Sequence, residues 1–140
     1  MLPLAQFQRV LYALLNNDVT LAPLIQGVFD FIPQGEAFNT LQIGVPEFRN
    51  TSGIGVRKVS GSIQLNTWVR GTTRGKIAAY EIMEEISRIL RNAEDDFVLT
   101  NWKMIAFAES FSTVLVESDT VTYHGVMRFQ FEAVENCPRQ

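Results

Sequence analysis

Residues 61–90 read GSIQLNTWVRGTTRGKIAAYEIMEEISRIL, and the period of their apolar side chains changes once along the way. Ile63, Leu65, Thr67 and Val69 share one face, and Ser62, Gln64, Asn66, Trp68 and Arg70 share the other, which is the two-residue repeat of a half-buried strand. Farther on, Ala79, Ile82, Met83, Ile86, Ile89 and Leu90 recur at three and four, the stripe of an amphipathic helix. Between the two lies Gly71-Thr72-Thr73-Arg74-Gly75, a glycine-bracketed turn. A strand that hands over to a helix needs a sheet beside it and a layer above it.

The flanking segments supply both. Downstream, 92–96 is a polar turn and 97–109 alternates as a strand, with Trp102, Met104, Ala106 and Ala108 opposing Lys103, Ile105, Phe107 and Glu109. Apolar character on both faces predicts a central strand or one covered by a second chain. Residues 111–117 lead to the turn Ser118-Asp119-Thr120, and 122–134 form a last strand with Gly125, Met127, Phe129, Phe131 and Ala133 on one face.

Upstream, Leu4, Phe7, Val10, Leu11, Leu14 and Leu15 make a helical stripe after Pro3, and Asp18 or Thr20 can cap a shorter turn over 21–25. Residues 28–32 read as a short strand closed by Pro33-Gln34-Gly35-Glu36. Residues 40–45 read as a strand with Leu41, Ile43 and Val45 inward, ended by Pro46.

Residues 47–55 have no period, so a flexible loop is expected over about 47–56. Its Phe48 and Ile54 either tuck back onto the domain or meet a partner. The strand over 56–70 is far longer than the usual ~5–6 residues, so part of it is expected to project beyond the core. On the helix that follows, Glu84 and Arg88 have the favourable i, i+4 order. The order of elements predicts one α+β domain over 1–140, with a short disordered tail at about 136–140. Its core is a mostly antiparallel sheet of four to six strands, with two main helices packed on one face.

Composition agrees with such a domain. The 140 residues include ten Phe and carry a formal net charge of −3, enough for a real core and too mild for sequence-wide attraction to nucleic acid. No run approaches 18 apolar residues, so neither a membrane span nor a signal peptide is expected. The one cysteine, Cys137, has no internal disulfide partner.

Catalytic and cofactor patterns are mostly missing. Gly71 and Gly75 lack the Lys-Ser/Thr of a phosphate loop, and Gly53-Ile54-Gly55 is too short for a dinucleotide fingerprint. The single His124 excludes a multi-histidine metal site, and it reads as a structural residue that donates to a neighbouring carbonyl. Glu84 and Glu85 diverge on their helix, so shared acid–base work is disfavoured. No enzyme, no cofactor and no metal are expected. Arg49, Arg57, Lys58, Arg70, Arg74 and Lys76 make the one local basic concentration, fit for phosphates, for an acidic partner or for a solvated fringe. Trp68 and Trp102 fit core or subunit-interface packing.

Four stretches resemble the tail-completion, or tail-terminator, proteins of long-tailed bacteriophages and prophages. They are Leu14-Leu15-Asn16-Asn17-Asp18 after the first helix, 28–38 (VFDFIPQGEAF), Leu65-Asn66-Thr67-Trp68-Val69-Arg70 before the glycine-bracketed turn, and His124-Gly125-Val126-Met127-Arg128-Phe129. They span nearly the whole chain in family order. Asn39-Thr40-Leu41 departs from the pattern, and so does the segment 47–55.

The resemblance implies a homo-oligomeric ring, expected to be a hexamer, at the head-proximal end of the tail tube. It would end tube polymerisation and join tail to head. The implied partners are the tail-tube protein, a neck or head-completion protein, and double-stranded DNA passing non-specifically through the lumen. No membrane is implied, and the implied location is the virion, assembled in the host bacterial cytoplasm. A head–tail adaptor or stopper in the neck, and a small non-catalytic α+β binding module, are the competing expectations. Phe48, Arg49, Ile54, Arg57, Lys58, Trp68, Arg70, Arg74 and Lys76 are the candidates for subunit, tail or neck contacts.

Overall fold

The computed structural model describes residues 1–30, 39–71 and 75–136. In chain order these form α1 (Leu4–Asn16), β1 (Gly27–Phe29), β2 (Thr40–Ile43), β3 (Glu47–Asn50), β4 (Lys58–Arg70), α2 (Gly75–Leu90), β5 (Val98–Leu99), β6 (Trp102–Val116) and β7 (Thr122–Glu135). The sheet runs β1-β2-β4-β7-β6-β5, and β3 lies beside β4 beyond the end of β2. Every pair is antiparallel except β1 with β2. The expected α+β architecture is present, with seven strands among the described residues where four to six are expected, because β3 and β5 are additional short ones. The turn at 72–74, the Pro33 turn and Cys137 lie outside the described residues.

The long central pair is β4 with β7, in register from Lys58 opposite Val134 to Arg70 opposite Thr122. Ile63, Leu65 and Val69 of β4 and Met127, Phe129 and Phe131 of β7 are buried together with Ala79, Ile82, Met83, Ile86 and Leu90 of α2. Each large side chain so buried contributes about 1.5–3 kcal/mol relative to exposure. α1 closes the other end of the core: the Phe7 ring centroid lies 5.1 Å from Phe97 and 5.0 Å from Phe131. At Gly125 a Cβ would stand 2.8 Å from the Met83 sulfur, so the missing side chain lets α2 settle on the sheet.

Several local expectations are overturned. The segment at 47–55 is not a loop throughout: Glu47–Asn50 pairs with Ser62 to Val59, and only the tip beyond it turns back. All four of its residues are exposed, so no burial period could mark it. The long strand does not project, because β7 accompanies β4 over its full length. Val45 is 88% exposed rather than inward, because β2 stops at Ile43 and the Gly44 N–H is drawn to the Gln64 carbonyl (2.8 Å).

The strand expected over 97–109 is broken by a turn at Thr100 and Asn101, the latter with φ of 64°. In β6 itself, register shifts between Met104 and Ala106 and between Glu109 and Phe111 move Phe107 onto the face of Met104 and turn Phe111 to the other. The pairing expected of Arg88 with Glu84 is also replaced. Arg88 Nε donates to Glu85 and Nη2 to Asp18, both at 2.7 Å, tying α2 to the end of α1.

Candidate assembly interface

The side chains singled out from sequence do not form one patch. Arg49, Ile54, Arg57 and Lys58 sit at the β3–β4 hairpin end of the sheet, whereas Arg70 and Lys76 sit at the far end, where β4 passes into α2. Along β4, the distance from Lys58 to Arg70 is roughly 40 Å at ~3.3 Å per residue. Arg74 lies outside the described residues.

Most of these cations are also locally compensated. Arg57 faces Glu135 at 3.4 Å, Lys58 faces Glu132 at 4.0 Å, and Arg70 faces Asp119 at 3.4 Å. Such exposed pairs contribute ~0–1 kcal/mol each, but they cancel the positive potential that a phosphate would meet. Arg49, exposed on β3, makes no ion pair among the described residues. Phe48 is 37% exposed and leans over Gly61, where a Cβ would come within 2.6 Å of the Phe131 ring. Ile54, at the hairpin tip, is fully exposed.

The sheet face away from the helices carries a polar ladder that sequence alone did not single out. Directly opposed pairs across β4 and β7 are Gln64 with Arg128, Asn66 with Val126, and Trp68 with His124. Arg128 Nη2 donates to Gln64 Oε1 (3.3 Å), and Gln64 Nε2 donates to Asn66 Oδ1 (2.9 Å). His124 Nε2 lies 2.8 Å from the same Asn66 oxygen, which makes that nitrogen the protonated one. The imidazole stacks on Trp68 with centroids 3.7 Å apart and planes 12° from parallel. Burial depresses the His124 pKa and the Glu117 carboxylate raises it in part, so the ring is neutral near pH 7. Arg128 also lies over the Phe111 ring, 5.4 Å from its centroid.

At the β6–β7 turn, Asp119 accepts from the N–H groups of Val121 (3.0 Å) and Thr122 (2.8 Å) and from the Thr122 hydroxyl. These bonds, with Arg70 as a further donor, lower its pKa to about 2. Among the described residues no group of three or more His, Cys, Asp or Glu could hold a metal ion, and no helix is long and apolar enough to cross a membrane. Ile105, Phe111, Leu115 and Val116 along β6 are exposed apolar side chains.

The fold has counterparts among solved structures. One chain, from a structure described as the virion of a native gene transfer agent particle, superposes with a TM-score of 0.79 at 17% sequence identity, covering 91% of this chain and 93% of that one. No curated protein matches the sequence. The model of a family described as tail completion protein gp17 matches residues 9–132, nearly the whole domain, and the chain belongs to that family of bacteriophage virion structural proteins.

Proposed function

We infer that this protein forms a ring at the head-proximal end of the tail tube, where it ends tube polymerisation and joins the tail to the head. The observation that carries this reading is the family match over residues 9–132. The surface agrees with it. Exposed apolar side chains lie at opposite ends of the sheet, Ile54 and Val56 on the β3–β4 hairpin and Leu115 and Val116 at the end of β6. A closed ring requires two different surfaces of this kind on each subunit.

The partners are then further copies of this chain, the tail-tube protein and a neck protein, with the location in the virion tail. DNA passing through such a ring is contacted through its backbone, without base readout. Phe48, Arg49, Ile54, Arg57 and Lys58 are assigned to one contact region, and Trp68, Arg70, Arg74 and Lys76 to another; His124 braces Trp68. An amber mutation in this gene tests the reading. Overlong tubes beside unattached heads are expected by electron microscopy. Tails of normal length that merely fail to join would move the protein up to an adaptor or stopper, and normal virions would remove it from assembly.

A further inference from the structure

Among the described residues the sheet has two open edges whose hydrogen-bonding patterns match. β5 covers only Trp102 and Lys103 of β6, and no strand among the described residues lies beyond the rest of β6. The Glu117 N–H donates to the Thr122 carbonyl (2.9 Å), which makes those two a hydrogen-bonded pair. Bonded and non-bonded pairs alternate in an antiparallel ladder. The backbone groups of Val116, Val114 and Ser112 therefore turn away from β7, toward the open edge.

On the other side of the sheet, the Thr51 N–H donates to the Lys58 carbonyl (2.8 Å). By the same alternation, the backbone groups of Asn50 and Phe48 turn away from β4. Both sets belong to the helix-covered face, since Ser112 and Val114 oppose Met127 and Gly125 while Phe48 and Asn50 oppose Gly61 and Val59. Following the pairings across the sheet, β3 runs opposite to β6.

We propose that β3 of one copy pairs antiparallel with the open edge of β6 of the next, continuing the sheet from subunit to subunit with all helices on one side. This names the contact within the ring and rests on the ring reading above. Phe48 and Asn50 would exchange hydrogen bonds with residues drawn from Ser112, Val114 and Val116, an arrangement that satisfies main-chain donors and acceptors otherwise left to water. Charge favours it. Arg49 and Glu117 both project from the face away from the helices, and the junction brings that unpaired guanidinium toward the half-exposed carboxylate. Exposed apolar side chains flank both edges, Phe111, Leu115 and Val116 on one and Phe48, Ile54 and Val56 on the other. Pairing β6 with β6 would instead set like edges together, leave β3 open and stop at a dimer.

The test is disulfide cross-linking in a Cys137→Ser background, with Asn50→Cys combined in turn with Ser112→Cys, Val114→Cys and Val116→Cys. Directly opposed strand residues fall within disulfide reach. At least one double variant is expected to give a covalent ladder of successive multiples after oxidation of the assembled protein, while each single variant stays monomeric on denaturing gels. Assembly seen by light scattering without any cross-link overturns this contact and leaves the ring intact. Efficient dimers from Ser112→Cys alone overturn it in favour of β6–β6 pairing. A protein that remains monomeric with and without tail tubes overturns the contact and the ring together.

Discussion

At His124, geometry and electrostatics act in the same direction. The ring is sandwiched against Trp68 and held by Asn66, in surroundings that favour its neutral form. The folded chain therefore resists a proton that the unfolded chain accepts near the ordinary histidine value of about 6.5. Stability should be level above that value and fall as the pH drops from it toward the depressed folded-state value. Melting temperatures between pH 8 and 5 check this: His124→Gln should be less stable at pH 8 and show a flatter decline on acidification. An equal slope in both proteins would detach the pH response from His124.

Asp119 also loses its contribution on acidification, but at lower pH. Its pKa is lowered to about 2, so its contribution persists from neutral pH down to the ordinary carboxylate range and is lost between roughly 4 and 2. Asp119→Asn should loosen the β6–β7 turn at pH 7, seen as faster amide exchange at Val121 and Thr122, and should have little effect at pH 2.

At the scale of elements, β6 is the most informative. Its two register shifts place Phe107 against Phe7 and Phe129 while Phe111 stands 47% exposed. Phe107→Ala should lower unfolding free energy by about 3–5 kcal/mol. Phe111→Ala should change it by less than ~1 kcal/mol, the loss of an exposed contact with Arg128. Urea denaturation of both variants gives the comparison, and equal losses would contradict the assigned faces.

The same strand shows where sequence was readable. β4 and β7 pair without a register shift and keep their large core side chains two residues apart, so Ile63, Leu65, Met127 and Phe129 were legible as core from period alone, although Gly61 and Val126 break the burial pattern. The register shifts in β6 leave the composition of each half intact while exchanging its faces, and nothing in the alternation marks them. β3 was hidden for a different reason: a fully exposed edge strand is held by main-chain bonds, which have no side-chain signature. Arg88 was assigned the wrong partner because Asp18 is remote in sequence and adjacent only after α1 and α2 have packed.

For the whole molecule, the apparent basic cluster divides into two ends of a long strand, with Arg57, Lys58 and Arg70 each facing a carboxylate. That division changes what the candidate site is. The cations lie on two separated surfaces rather than in one cradle for phosphate. Weakening one surface should act on assembly and not on folding. Arg49→Glu is expected to leave the melting temperature within a few degrees of the parent, because exposed charges contribute ~0–1 kcal/mol, while reducing oligomer formation at low salt. Glu117→Arg in the same chain should recover part of it.

Closure of copies of this chain into a ring that caps the tail tube, as proposed above, has a direct readout in solution. The most direct measurement is the mass of the purified protein by light scattering across concentration, alone and with tail-tube protein. One discrete closed oligomer is predicted, expected to be a hexamer, and its appearance in the mixture arrests tube elongation. A protein that stays monomeric in both conditions, with tubes that elongate as before, would contradict it.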